Sequence, residues 1–207
     1  MSSASATPSL PEQYFRDLYA RDEDPWRISD GWYEQRKRAL VLAALPSASF
    51  GTVFEPGCSN GELTVPLAGR CDRLVAWDVV DSALARTRER TADRANVEVR
   101  RGALPGDWPD EPADLVVLSE VGYYLDRTDL RTAVDHVAAS LRDGGSLVAV
   151  HWRHPAPDYP LSGDEVHDVI EAHPAFERLG RYRDEDVVLD VLVKGNAVSV
   201  ARAAGVV

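Results

Sequence analysis

Between residues 51 and 152 short apolar runs alternate with segments of helical periodicity, and no other feature narrows the fold as far. The runs are "GTVFEP", "RLVAWD", "NVEVR", "ADLVVLSE" and "SLVAVHW". Strands apolar on both faces need cover on both sides, which is the pattern of a parallel sheet between helices. Helices are expected over about 60–70, over "DSALARTRERTA" with Asp81 as N-cap, and over about 128–142. In the last, Leu130, Val134, Val137, Ala138 and Leu141 form a stripe, and Gly144 is placed to end it. Beyond residue 160, "SGDEVHDVIEAH" reads as a helix. "FERLGRYR" and "DVVLDVLVKG" then alternate like paired strands, joined by the short link Asp184-Glu185-Asp186. The expectation is an α/β fold: a Rossmann-like, doubly wound seven-stranded sheet, mostly parallel with one antiparallel strand.

Two helical patterns precede this core. In the first, Tyr14, Phe15, Leu18 and Tyr19 share a face. In the second, Trp32, Tyr33, Arg36, Leu40 and Ala43 do, with Asp30 as the cap. Asp24-Pro25 interrupts them. Residues 1–10 read as a loose tail without the charged head and apolar middle of a signal peptide. Residues 11–207 read as one domain, with 11–46 a helical lid and 47–200 the Rossmann-like core. The 207 residues suit one core better than two. The net charge of -11 argues against nucleic acid as a partner. No apolar run is long enough to span a membrane. Two cysteines fit a reducing, cytoplasmic setting. A zinc site from Cys58, Cys71, His151 and His154 is the weaker use of these residues, so no metal is expected. Oligomeric state is not readable.

"FEPGCSNGEL" lies where the first strand gives way to a helix. In a doubly wound sheet that turn sits at the point where strand order reverses, and ligands bind there. Gly57 and Gly61 permit a sharp turn and close backbone approach. A dinucleotide fold would place a glycine at Ser59 and no acid at Glu55, because a pyrophosphate rests on that turn. Asp78, at the end of the second strand, suits the hydroxyls of a ribose. A ribose, a positive charge and no phosphate describe S-adenosyl-L-methionine, with Glu55 near its ammonium end.

These residues resemble the class I S-adenosylmethionine-dependent methyltransferases. "YFRDLYARDEDPW", "WYEQRKRALVLAAL", "DLVVLSEVGYYL" and "LRDGGSLVAVHWRHP" are similar, more narrowly, to the nodulation protein S family of small N-methyltransferases. The resemblance runs from about Tyr14 to the end. It implies N-methylation of an amino sugar or related small-molecule amine. It also implies donor contacts from Cys58, Asn60, Val79 and Ser119, and from the backbone of Ala103 and Leu104, where the usual acid after the third strand is missing. A lid would bring Tyr14 and Trp26 over the methionine end.

For the chemistry, Glu120 at the end of the fourth strand is the leading proton acceptor and also borders the donor. Tyr123 and Tyr124 would line the acceptor pocket, where an aromatic face favours a methylated cation. His151, at the end of the fifth strand, would shuttle a proton, and His167 would face the pocket. Competing readings are an O-methyltransferase, a nicotinamide-dependent oxidoreductase and a non-catalytic adenosylmethionine-binding module.

Overall fold

Residues 113–119 display the rule that organises the molecule. Leu115 and Val117 point to one side of the sheet and Val116 and Leu118 to the other, and all four are buried. Successive strand side chains alternate faces, so a strand that is apolar throughout needs two layers of cover. In the computed structural model, which describes residues 7–207, that cover is helical on both sides. On one face α2 (Trp32–Ala44) and α3 (Thr64–Ala68) supply Val41 and Leu67. On the other, α5 (Arg127–Ser140) and α6 (Gly163–Glu171) supply Leu130, Val134, Val166 and Ile170.

The strands are β1 (Phe50–Pro56), β2 (Cys71–Asp78), β3 (Val97–Arg101), β4 (Ala113–Ser119), β5 (Leu141–Trp152), β6 (Phe176–Arg183) and β7 (Val187–Lys194). Their order is β3-β2-β1-β4-β5-β7-β6. β1 to β5 run parallel, and β7 is antiparallel to both of its neighbours, β5 and β6. This is the expected seven-stranded sheet with one reversed strand. Strand order turns back at the β1–β4 pair, so a crevice opens beyond their carboxyl ends. There β1 runs into the glycine turn. β4 runs into Glu120 and a 3₁₀ turn, η1 (Gly122–Tyr124).

Several local expectations are corrected. Gly144 does not end α5. The helix stops at Ser140, Leu141 already pairs with Ala113, and Gly144, at φ 78°, sits where the β4–β5 register shifts. Asp126 caps α5, accepting from the amides of Thr128 and Asp129. Asp81 is the first residue of α4 (Asp81–Arg90) rather than its cap, and Asp30 pairs with Arg27 instead of capping α2. The helix expected over 60–70 shrinks to α3, because the glycine turn continues to Leu63. The buried line of α2 is Lys37 and Val41, with Tyr33 half-buried one turn before them; Trp32 is 73% exposed. The tail is also partly corrected. Residues 1–6 lie outside the described residues, but Leu10 N donates to Tyr124 O (2.8 Å), and the Ser9 hydroxyl meets Asp129 and the Asp126 amide.

Candidate functional site

The crevice holds a cavity of about 420 Å³ whose walls come from the turn after β1, the ends of β2 and β4, η1, α1 (Glu12–Arg21) and α2. Gly57, at φ 72°, shows why the turn needs glycine. A Cβ there would lie 2.2 Å from Val121 Cγ1, on the β4 side of the crevice. Its amide and that of Cys58 both donate to Trp77 O, at 2.7 and 3.0 Å, which ties the turn to β2. Asp78 is held by backbone donors: Ser59 N reaches Oδ2 and Val80 N reaches Oδ1, each at 3.0 Å. Burial raises its pKa, and those amides act against the rise.

Glu55, 2% exposed, borders the same cavity, and its Oε2 has no hydrogen-bond partner among the described residues. Burial pushes its pKa up to about 8, with Thr64 acting against the rise and Asp78 adding to it. An orphaned buried carboxyl oxygen is costly unless something completes it. A cationic ligand would. The residues therefore fit S-adenosyl-L-methionine: a carboxyl for the ammonium, a fixed carboxylate for the ribose, and a turn between them that bares its backbone at Gly57.

Of the residues assigned from sequence, Trp26, Glu55, Gly57, Cys58, Asp78, Val79, Ala103, Leu104, Ser119, Glu120, Tyr123 and Tyr124 all border the cavity. Tyr14 does not; Phe15 and Tyr19 take its place, because α1 turns them inward. Asn60 and Gly61 lie behind the wall. The Asn60 amide donates to Ser29 Oγ (3.1 Å), and Gly61 packs against Thr87. Among the described residues no cluster of three or more His, Cys, Asp and Glu side chains could hold a metal.

His151 and His167 are brought together, but beneath the cavity rather than in it. The Gly122 amide donates to His151 Nε2 (3.0 Å), so that nitrogen carries no proton. His151 Nδ1–H must then donate to His167 Nε2 (3.1 Å), and His167 Nδ1–H to Asp190 Oδ2 (2.6 Å). Arg181 closes the chain on both Asp190 oxygens, at 2.7 Å each. Burial, then the neighbouring His167, depresses the His151 pKa well below its ordinary value. For Asp190 burial acts upward, but the bonds from His167 and Arg181 outweigh it and bring the pKa to about 2. The expectation that His151 shuttles a proton and that His167 faces the acceptor is thus corrected. Both are buried links in a chain that ends on η1.

Glu120 stands at φ 59°, a left-handed conformation rare for a side chain of this kind. Its Oε1 accepts from Lys37 Nζ (2.8 Å) and, at 3.5 Å, from the Tyr33 hydroxyl. Its Oε2 accepts from the Tyr123 hydroxyl and from Trp152 N (3.0 Å). Lys37, 3% exposed, also donates to Glu34 Oε1 (2.8 Å). Tyr33, Glu34, Lys37 and Trp152 were missed from sequence. The four-residue spacing of Tyr33, Lys37, Val41 and Leu45 was the signal available.

α1 bridges the mouth. Tyr19 meets Ser59 Oγ on the glycine turn at 2.5 Å, and Phe15 stands edge-on to Tyr124 of η1, ring centres 4.9 Å apart.

The comparisons with known proteins agree with this geometry. Residues 11–154 match the sequence model of "Nodulation protein S (NodS)". The chain is 36% identical over 135 residues to nodulation protein S of Rhizobium tropici, covering 64% of this chain and 56% of that one. The chain thus spans little more than half the length of that curated relative. Among solved structures, the N-methyltransferase NodS from Bradyrhizobium japonicum WM9, in complex with S-adenosyl-L-homocysteine, superposes with a TM-score of 0.80. It is 28% identical, over 89% of this chain and 98% of that one. A protein from Pseudomonas syringae is 41% identical with a TM-score of 0.71, over 79% of this chain and all of that one. The chain belongs to the nodulation protein S family.

Proposed function

We propose that the protein is an S-adenosyl-L-methionine-dependent methyltransferase acting on the primary amine of an amino sugar or a related small molecule. The observation that carries this reading is the unpaired Glu55 carboxyl oxygen beside the glycine turn, in a cavity that also presents Asp78. The solved relative that is named an N-methyltransferase and holds the demethylated donor supports both halves of the reading. S-adenosyl-L-methionine, when bound, supplies a methyl group already activated by the positive sulfur.

The protein's work is then positioning and exclusion of water. Glu55 takes the ammonium end of the donor. Asp78, immobilised by Ser59 N and Val80 N, takes the ribose, and the backbone at Ala103 and Leu104 borders the base. On the acceptor side the cavity is bordered by Tyr33, Tyr124 and Trp152, and its charged groups include Glu34, Lys37, Arg38 and Glu120. Aromatic faces favour an alkylated ammonium. Residues 11–46 act as a lid, with Phe15, Tyr19 and Trp26 over the crevice; residues 47–200 carry the donor site.

The test is mass spectrometry of D-glucosamine and its β-linked oligomers after incubation with donor. Gain of one or two methyl groups on the amine is expected. Methylation of N-acetylglucosamine, which has hydroxyls but no basic amine, would replace this reading by O-methylation.

A further inference from the structure

Resting on the amine reading above, we infer that Glu34, and not Glu120, accepts the proton of the acceptor's ammonium group. A carboxylate offers about four lone-pair positions. Three of those of Glu120 are taken by Lys37, Tyr123 and the Trp152 amide, and the Tyr33 hydroxyl stands 3.5 Å from Oε1. That leaves it at most one position for an incoming N–H, beside the Tyr33 hydroxyl. Glu34 is different. Its Oε1 takes Lys37 Nζ at 2.8 Å, while its Oε2 receives no donor among the described residues and its side chain, 12% exposed, borders the cavity. Both carboxylates lie 2.8 Å from the same Nζ, so Glu34 stands next to the reaction region marked by Glu120.

The surroundings suit the task. The charged groups facing Glu34 are Lys37 and Arg38 from its own helix and Glu120 from the end of β4, with the Tyr33 ring beside Lys37. Lys37 lies between the two carboxylates, so an incoming ammonium meets Glu34 from the side away from Nζ. Burial raises the proton affinity of Glu34, Lys37 opposes this, and Glu120 adds to it; the net shift is upward. A base shifted toward neutrality matches proton removal near physiological pH better than an ordinary carboxylate.

In the step itself the ammonium N–H bond breaks, an O–H bond forms on Glu34, and the freed lone pair attacks the donor methyl carbon. The carbon–sulfur bond breaks with its electron pair going to sulfur. The products are the methylated ammonium, the neutral thioether and a protonated Glu34, which returns its proton to solvent through the mouth of the cavity.

The experiment pairs kinetics with binding in wild type, Glu34→Gln and Glu34→Asp. With D-glucosamine as acceptor, Glu34→Gln is expected to lower kcat at pH 7 by 30-fold or more. Its rate should recover at high pH, where the amine is free without a base. Calorimetric titration of methylammonium into protein saturated with S-adenosyl-L-homocysteine should show binding to wild type, tenfold weaker binding to Glu34→Gln, and donor-product affinity within twofold of wild type. Glu34→Asp, which keeps the charge, should restore the acid limb of the pH profile. A Glu34→Gln variant with kcat within threefold of wild type and an unchanged acid limb overturns the inference while leaving the amine reading in place. Wild-type protein that binds the donor product but neither binds methylammonium nor methylates glucosamine overturns both.

Discussion

At the scale of single residues, Glu55 makes the donor site responsive to pH. Its carboxyl is held at about 8 against an ordinary 4.5, so between those values the folded chain keeps a proton that the unfolded chain has released. That term stabilises the ligand-free protein at low pH and is lost as pH rises through about 8. Tm of the ligand-free wild type should therefore fall by several degrees relative to Glu55→Gln between pH 5 and pH 8, as read by scanning calorimetry. Parallel curves would remove the buried, protonated carboxyl. The same proton must leave when an ammonium arrives, so donor binding at pH 7 should release close to one proton, detectable by titration in buffers of different ionisation enthalpy. Glu120→Gln removes one of the two counter-charges of the buried Lys37. It should cost about 1–3 kcal/mol in urea denaturation, whatever its effect on rate. Glu55 and Asp78 were readable in sequence because strand ends and glycine turns leave local marks. Glu34 and Lys37 were not, since a charged pair on a helix ordinarily means a solvated face, and only the packing of α2 over the end of β4 turns it inward.

At the scale of elements, the chain from Gly122 through His151, His167, Asp190 and Arg181 joins η1, β5, α6, β7 and β6. Each of its middle members is buried, so removing one leaves its neighbours with unpaired polar atoms. His167→Ala should destabilise the fold by about 2–4 kcal/mol, measured by chemical denaturation. A loss below about 0.5 kcal/mol would mean that water replaces the missing ring without cost. Six of the seven strands were legible to within two residues, since runs such as "ADLVVLS" have no solvent-tolerant face to offer; β5 begins at Leu141, five residues before the run "SLVAVHW" that marks it in sequence. Helix boundaries were less so. The end of α5 is set by where Leu141 finds Ala113 across the sheet, a partner 28 residues away that no local signal such as Gly144 reveals.

At the scale of the whole molecule, the seven-stranded sheet and its single reversed strand followed from alternation and one short link. The docking of the N-terminal segment did not, because its contacts are made one residue at a time. Tyr19 reaches Ser59, Asn60 reaches Ser29, Glu23 pairs with Arg86 at 3.0 Å, and Leu10 N donates to Tyr124 O. The Glu23–Arg86 pair is exposed and of a kind that contributes under about 1 kcal/mol, whereas the Tyr19 and Asn60 contacts are part-buried; the proposed lid would open by breaking this short set. A chain lacking residues 1–30 should fold with little change in far-ultraviolet circular dichroism but bind S-adenosyl-L-homocysteine at least tenfold more weakly. Full affinity in the shortened chain would reduce the segment to edge packing.

The chain contains two lysines, Lys37 and Lys194. The second, half-buried, donates to Leu141 O at the opposite end of β5. The first is thus an amine housed inside a site proposed to alkylate amines, with its Nζ turned to Glu34 and Glu120. It also makes a built-in reporter: reductive labelling with isotopic formaldehyde, which needs a free amine, can give no more than two side-chain signals, and one from Lys37 would mean that its bonds to Glu34 and Glu120 had opened.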